Sequence, residues 1–180
     1  MIKKQKYHSP KILAKKISVN FFRTKNNFNL VEGFYSDILM AGSCVGCDCF
    51  IGGTKILLED NKTKDIQDIK KGEYIVTFNI KNNSSNSCPV SEKVKFTNVD
   101  KGYIIINEKL RITGNHRLWV NNLVWKRADE VQLGDTLINN YNKKIIVKKL
   151  EIVDGKFDTY LLRLSNNFHT LFADNILVHE

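Results

Sequence analysis

Ten residues recur in this chain at a fixed interval, and the recurrence limits the folds open to it. Ile66-Gln67-Asp68-Ile69-Lys70-Lys71-Gly72-Glu73-Tyr74-Ile75 aligns at a constant offset of 62 with Ala128-Asp129-Glu130-Val131-Gln132-Leu133-Gly134-Asp135-Thr136-Leu137. Apolar residues fall opposite apolar residues, Gly72 opposite Gly134, and the acid Glu73 opposite Asp135. A Gly-acid turn that twice feeds a strand implies two related halves folded about a pseudo-twofold axis.

The sequence around the repeat reads as short strands separated by polar turns. Residues 54–58 alternate, 59–62 have the composition of a hairpin turn, and 74–80 are rich in β-branched and aromatic residues. Further strands are predicted over 93–99, 102–106 and 109–113, then over 119–124 beyond a turn at Gly114-Asn115, and over 136–138, 144–152, 159–164, 170–172 and 176–178. Only 66–69 and 128–132 read as brief helical or bent turns. Residues 81–92 form the most polar stretch and read as an exposed loop, which makes Cys88 a surface thiol. The predicted class is therefore all-β.

Charge divides the chain near residue 48. Residues 1–48 hold eight Lys/Arg against three acids, whereas 49–180 hold twenty against sixteen, so the excess positive charge lies in the head. This head reads as a basic, partly helical or flexible segment, with Ser9 and Pro10 opening a short amphipathic helix over 11–17. Its lysines suit phosphate contacts, but scattered lysines equally make a solvated face, and nucleic acid is not the expected partner. With no apolar run long enough for a membrane span or a signal peptide, the sequence is read as cytoplasmic and monomeric.

At the boundary stands Cys44-Val45-Gly46-Cys47-Asp48-Cys49-Phe50-Ile51-Gly52-Gly53-Thr54. Three cysteines within six residues do not make a secreted disulfide framework. Cys49, directly before the first strand, can be a packing residue, a metal ligand or a nucleophile. The metal reading is a zinc or nucleic-acid binding module using Cys44, Cys47 and Cys49; a second C-x-x-C pair to complete it is missing.

Three separated clusters bear on the choice: Cys49 to Thr54, Thr113-Gly114-Asn115-His116, and the tail from His169 to His179. In this order and at these intervals they resemble the Hint superfamily, which comprises inteins, bacterial intein-like domains and hedgehog-type autoprocessing domains. The first cluster is similar to the family's opening block. Thr113 to His116 matches its T-x-x-H block, with Gly114 where proline is more usual. Trp125, Ala128, Val131, Gly134 and Asp135 follow a further family stretch.

The resemblance implies a horseshoe-like all-β domain over 49–180 without a homing endonuclease, and residues 1–48 as a flanking, extein-like segment. It also implies self-processing, with the chain's own flanking polypeptide as substrate and no metal or organic cofactor. Cys49 would attack the carbonyl carbon of Asp48, an N-to-S acyl shift. Thr113 would orient the scissile peptide and His116 would protonate the departing nitrogen. Water or a thiol would then take the segment; separately, the spacing of the Asp48 carboxylate from its own carbonyl suits assistance to release through a five-membered anhydride. His169 and His179 would serve the carboxyl-side step.

Two departures bear on that step. Glu180 stands where the family ends in Asn, and a carboxylate has no amide nitrogen with which to form a succinimide. Leu161 stands where many members place Asp. Amino-side cleavage is thus the expected activity. The alternatives are a full splicing intein altered or cut at its carboxyl end, and an inactive relic.

Overall fold

The computed structural model describes residues 48–100 and 102–180. The helix expected over 11–17, together with Cys44 and Cys47, lies outside them. The described residues form fifteen strands: β1 (Phe50–Ile51), β2 (Lys55–Leu57), β3 (Thr63–Asp65), β4 (Tyr74–Asn79), β5 (Ser84–Asp100), β6 (Tyr103–Ile106), β7 (Leu110–Ile112), β8 (Arg117–Val120), β9 (Val124–Arg127), β10 (Thr136–Ile138), β11 (Lys144–Ile146), β12 (Leu150–Val153), β13 (Lys156–Leu164), β14 (Thr170–Ala173) and β15 (Ile176–His179). Single 3-10 turns occupy Ile66–Asp68 and Ala128–Glu130, at the two places read as bent turns. No described helix is long and apolar enough to cross a membrane.

One sheet runs β12-β6-β7-β1-β13-β5-β4, and the other runs β11-β10-β8-β15-β14-β2-β3 with β9 paired to β8. Their inward faces share a core that includes Phe50, Ile56, Ile75, Ile112, Leu118, Leu137, Leu162 and Leu171. Asn121 and Asn122 both adopt positive φ in the β8–β9 turn, as do Asp174 and Asn175 between β14 and β15. Short polar side chains tolerate that left-handed conformation, which suits the three-residue turn between β8 and β9 and the two-residue turn between β14 and β15.

The repeat is structural, and it extends beyond the ten residues that first show it. Phe50 and Ile112, themselves 62 apart, are register partners across β1 and β7. In the β14–β15 hairpin Ala173 pairs with Ile56 and Val178 with Leu118, again residues 62 apart. The pseudo-twofold axis therefore passes between β1 and β7 and between β14 and β15. Hydrogen bonds obey it: Gly72 N–H donates to the Val90 carbonyl at 2.8 Å and Gly134 N–H to the Val147 carbonyl at 2.9 Å. Glu73 accepts the Lys70 N–H and Asp135 the Gln132 N–H, each at 3.0 Å. Gly72 and Gly134 have φ of +86° and +92° with open space around them, so their backbone conformation rather than crowding calls for glycine.

Three local expectations are corrected. Residues 84–92 are strand, not loop, because Ser84 to Pro89 pair residue by residue with β4. A ladder needs main-chain partners rather than apolar side chains, and here the polar residues face solvent while Cys88, opposite Ile75, is buried. The stretch 144–152 is two strands in different sheets, crossing where Asn107 Oδ1 accepts the N–H groups of Lys148 and Lys149. The stretch 119–124 contains a turn, so its residues divide between β8 and β9.

Candidate active site

Cys49 immediately precedes β1, a two-residue strand held between β7 and β13. Burial of Phe50 against the core carries Cys49 inward with it, and both are fully buried. Thr113, just after β7, holds the Cys49 main chain from both sides. Its N–H donates to the Cys49 carbonyl at 3.0 Å and its hydroxyl donates to the same oxygen at 3.2 Å. That hydroxyl also accepts the Cys49 N–H at 3.1 Å. This nitrogen belongs to the Asp48-Cys49 peptide bond.

His116 closes the turn that Thr113 opens, its N–H donating to the Thr113 carbonyl at 3.0 Å. The 3-10 turn after β9 braces this loop: Ala128 N–H donates to the His116 carbonyl at 2.8 Å and Asp129 N–H to the Gly114 carbonyl at 2.9 Å. The imidazole is fully buried, with its centroid 4.4 Å from that of Phe50. Its Nε2 lies 2.9 Å from the His179 carbonyl oxygen. A carbonyl only accepts, so Nε2 carries the proton. Nδ1 is left buried without a hydrogen-bond partner. Burial pushes the His116 pKa down to about 4, against the opposing pull of the Asp48 carboxylate and the His179 carbonyl. At neutral pH the ring is uncharged.

His179 ends β15, its ring edge-on to Trp125 at 5.3 Å and its Nδ1 2.9 Å from the Glu180 carbonyl oxygen. His169 stacks on it at 6.0 Å between centroids and is half exposed. Glu180 joins the pair: Oε1 lies 2.5 Å from His169 Nδ1, and Oε2 accepts the Leu164 N–H at 2.6 Å. A cavity of about 550 Å³ opens beside the two histidines, walled by Phe78, Trp119, Trp125 and Phe168.

Cys49, Thr113 and His116 are thus gathered at one point, and the carbonyl of His179 links them to His169 and Glu180. Two residues that the sequence did not single out also reach the site. Asn115 Nδ2 donates to Asp48 Oδ1 at 3.3 Å, and Arg117 Nε donates to Asp48 Oδ2 at 3.2 Å. Both flank His116 in sequence, Asn115 in the turn before it and Arg117 as the first residue of β8. With both oxygens engaged, attack by Asp48 on its own carbonyl first requires one of these bonds to open.

No group of three or more possible metal ligands occurs among the described residues. No family model and no curated protein sequence matches the chain. Solved structures do. A bacterial intein-like domain from Clostridium thermocellum superposes with a TM-score of 0.65 at 24% identity, over 74% of this chain and 99% of that one. A DnaB intein from Synechocystis sp. PCC 6803 gives 0.63 at 22% identity, over 74% and 98%. The gp41-1 intein gives 0.59 at 16% identity, over 74% and 99%. The strand order, the internal twofold and these superpositions together show that this chain has the Hint fold of intein-like domains and inteins.

Proposed function

We propose that this chain is a self-processing domain of the intein type, in which Cys49 acts once, on its own Asp48-Cys49 peptide bond, and releases residues 1–48. The observation that carries this reading is the double hold of Thr113 on the Cys49 main chain beside a fully buried, neutral His116.

A free thiol with a pKa of about 8.5 is only a few per cent ionised at neutral pH, so it needs a base. Nδ1 of His116, buried against the Cys49 main chain, is assigned that part. In the proposed sequence Nδ1 takes the Cys49 thiol proton, and the sulfur attacks the Asp48 carbonyl carbon. The new C–S bond forms and the C–N bond breaks. The proton held on Nδ1 passes to the departing nitrogen, which becomes the free amine of Cys49. A neutral histidine therefore serves first as base and then as acid, with no net proton taken from solvent. Such a shuttle is worth about 10² to 10⁴ in rate.

Thr113 fixes the leaving nitrogen and the Cys49 carbonyl, so the peptide cannot rotate away from the ring. The thioester of Asp48 then goes to water or to a thiol. Glu180 offers no amide nitrogen for ring closure, and its carboxylate is occupied by Leu164 and His169. Its proposed part is to hold the end of β15, and with it the His179 carbonyl that orients His116.

The test is an intact-mass time course of wild type beside Cys49→Ala, with and without dithiothreitol or hydroxylamine. Loss of residues 1–48, accelerated by either reagent in wild type and absent from Cys49→Ala, is the expected result. An unchanged mass in all samples, or equal loss in both proteins, overturns the reading.

A further inference from the structure

We propose that Asn115 and Arg117 form a clamp that reads the side chain of residue 48 and makes the domain selective for aspartate there. The inference rests on the acyl shift proposed above and names the specificity determinants of the same site.

The contacts differ from an incidental surface pair in three respects. The Asp48 side chain is only 15% exposed, although the arginine facing it is 48% exposed. Its two oxygens are taken by two different residues, Oδ1 by the Asn115 amide and Oδ2 by Arg117 Nε. Those residues sit immediately before and after His116, where the chain enters β8. The His116 ring is fully buried, while its two neighbours reach the side chain on the acyl side of the same bond.

Length and charge make the clamp selective. Aspartate places its carboxylate two bonds from Cα. Glutamate carries the same charge one methylene farther out, and asparagine keeps the shape but loses the charge that answers Arg117. A lysine sets two cations against each other. Because Arg117 is half exposed, the charge contribution is screened, and the full discrimination against lysine amounts to about tenfold. The carboxylate also lies near enough to His116 to favour its charged form, so a group held in the clamp assists the ring while the ring carries the proton.

The test places Asp, Glu, Asn, Ala and Lys at position 48 of the full chain. Each is combined with wild-type Arg117, Arg117→Lys and Arg117→Ala, and dithiothreitol-driven release is followed by intact mass. Position 48 lies on the departing side, so these changes leave the domain's core untouched. With wild-type Arg117, aspartate should be fastest, asparagine about threefold slower and lysine about tenfold slower. With Arg117→Ala the series should collapse to within about twofold, and Asp48→Lys with Arg117→Glu should recover most of the lost rate. Arg117→Lys, which keeps charge and stem, should retain the order. Identical spacing of the series in all backgrounds, with thermal unfolding of each variant unchanged, removes the clamp and leaves the acyl shift standing. Release that persists in Cys49→Ala removes the acyl shift instead.

Discussion

Thr54 and His116 occupy equivalent places in the two halves of the molecule. Both are buried, and the carbonyl of each accepts the first N–H of the 3-10 turn that follows, from Ile66 at 2.9 Å and from Ala128 at 2.8 Å. The side chains diverge. The Thr54 hydroxyl lies 2.7 Å from the Ile51 carbonyl oxygen and 3.3 Å from that of Arg111, tying its turn to β7, whereas the His116 ring donates to the His179 carbonyl and packs on Phe50. One position thus serves structure in the first half and, on the function proposed above, chemistry in the second.

Exchanging these side chains should separate the two roles. Thr54→Val removes a buried hydroxyl and should cost about 1 kcal/mol of stability while leaving thiol-driven release within about threefold of wild type. His116→Gln should lower release by about 10² to 10⁴ while the domain remains folded. Denaturant titrations and intact-mass rates on both variants check the pair. Equal losses of activity in the two would contradict the asymmetry.

Stability against pH should carry two opposing contributions. The folded-state pKa of His116 is pushed by burial to about 4, below its ordinary 6.5. Between these values the unfolded chain binds more protons, so its contribution is fully present above pH 6.5 and is lost as pH falls towards 4, about 3 kcal/mol in all. Asp174 behaves in the opposite sense. Burial raises its pKa from 3.8 to about 6, so the folded state binds more protons in that window and stability is lost as pH rises through it. The wild-type profile between pH 4 and 6 should therefore be shallow. Asp174→Asn, which keeps an oxygen for the Lys55 N–H, should leave stability rising with pH. His116→Gln should leave it falling. Urea titrations at half-unit steps of pH measure both slopes.

The fold was legible in the sequence to the extent that one physical signal dominated each segment. Gly72 and Gly134 mark positive-φ corners that few residues tolerate, whereas the apolar runs of β14 and β15 reflect strands buried on both faces, with Leu171 and Val178 in one core cluster and Phe172 and Leu177 in another. Residues 84–92 were misread because composition alone says nothing of main-chain pairing. Ser85, Asn86 and Ser87 lie in a ribbon whose side chains face water, and their strand character comes from β4. At the site, Cys49 stands out by its place before the first strand, while Thr113 and His116 are picked out only by the resemblance of their T-x-x-H block to that of the Hint family. Asn115 and Arg117 are singled out by neither, since an asparagine and an arginine in a polar turn look like solvated surface until the carboxylate they meet is placed. The partners of Glu180 were equally hidden, because Leu164 contributes only a main-chain N–H.

The strand pairing of residues 84–89 buries Cys88 and makes the two described cysteines a direct comparison. Both are buried, but Cys88 faces the core between β4 and β5, where burial pushes its thiol pKa up. Cys88→Ala should therefore cost about 1 to 2 kcal/mol through the cavity it leaves, with release unaffected. Cys49→Ala should abolish release, with the domain still folded. Thiol labelling should reach Cys88 only on unfolding. Rapid labelling of the folded protein at Cys88 would show that this part of the ribbon opens readily.

Burial of Cys49 also sets the form of the rate law. A thioester formed there lies beneath residues that exclude solvent, with no part of Cys49 exposed. An external thiol can then act only after the site opens or the released segment swings out, a step that does not involve the thiol. Release should consequently rise with dithiothreitol at low concentration and level off at high concentration, at a ceiling set by opening or by the acyl shift itself. The Arg117→Ala variant distinguishes the two limits. Loosening the hold on Asp48 should raise the ceiling if opening limits it, and lower it if the acyl shift does. Mass spectrometry across a hundredfold range of thiol supplies the curves, and a strictly linear dependence in wild type would mean that the thioester is freely accessible.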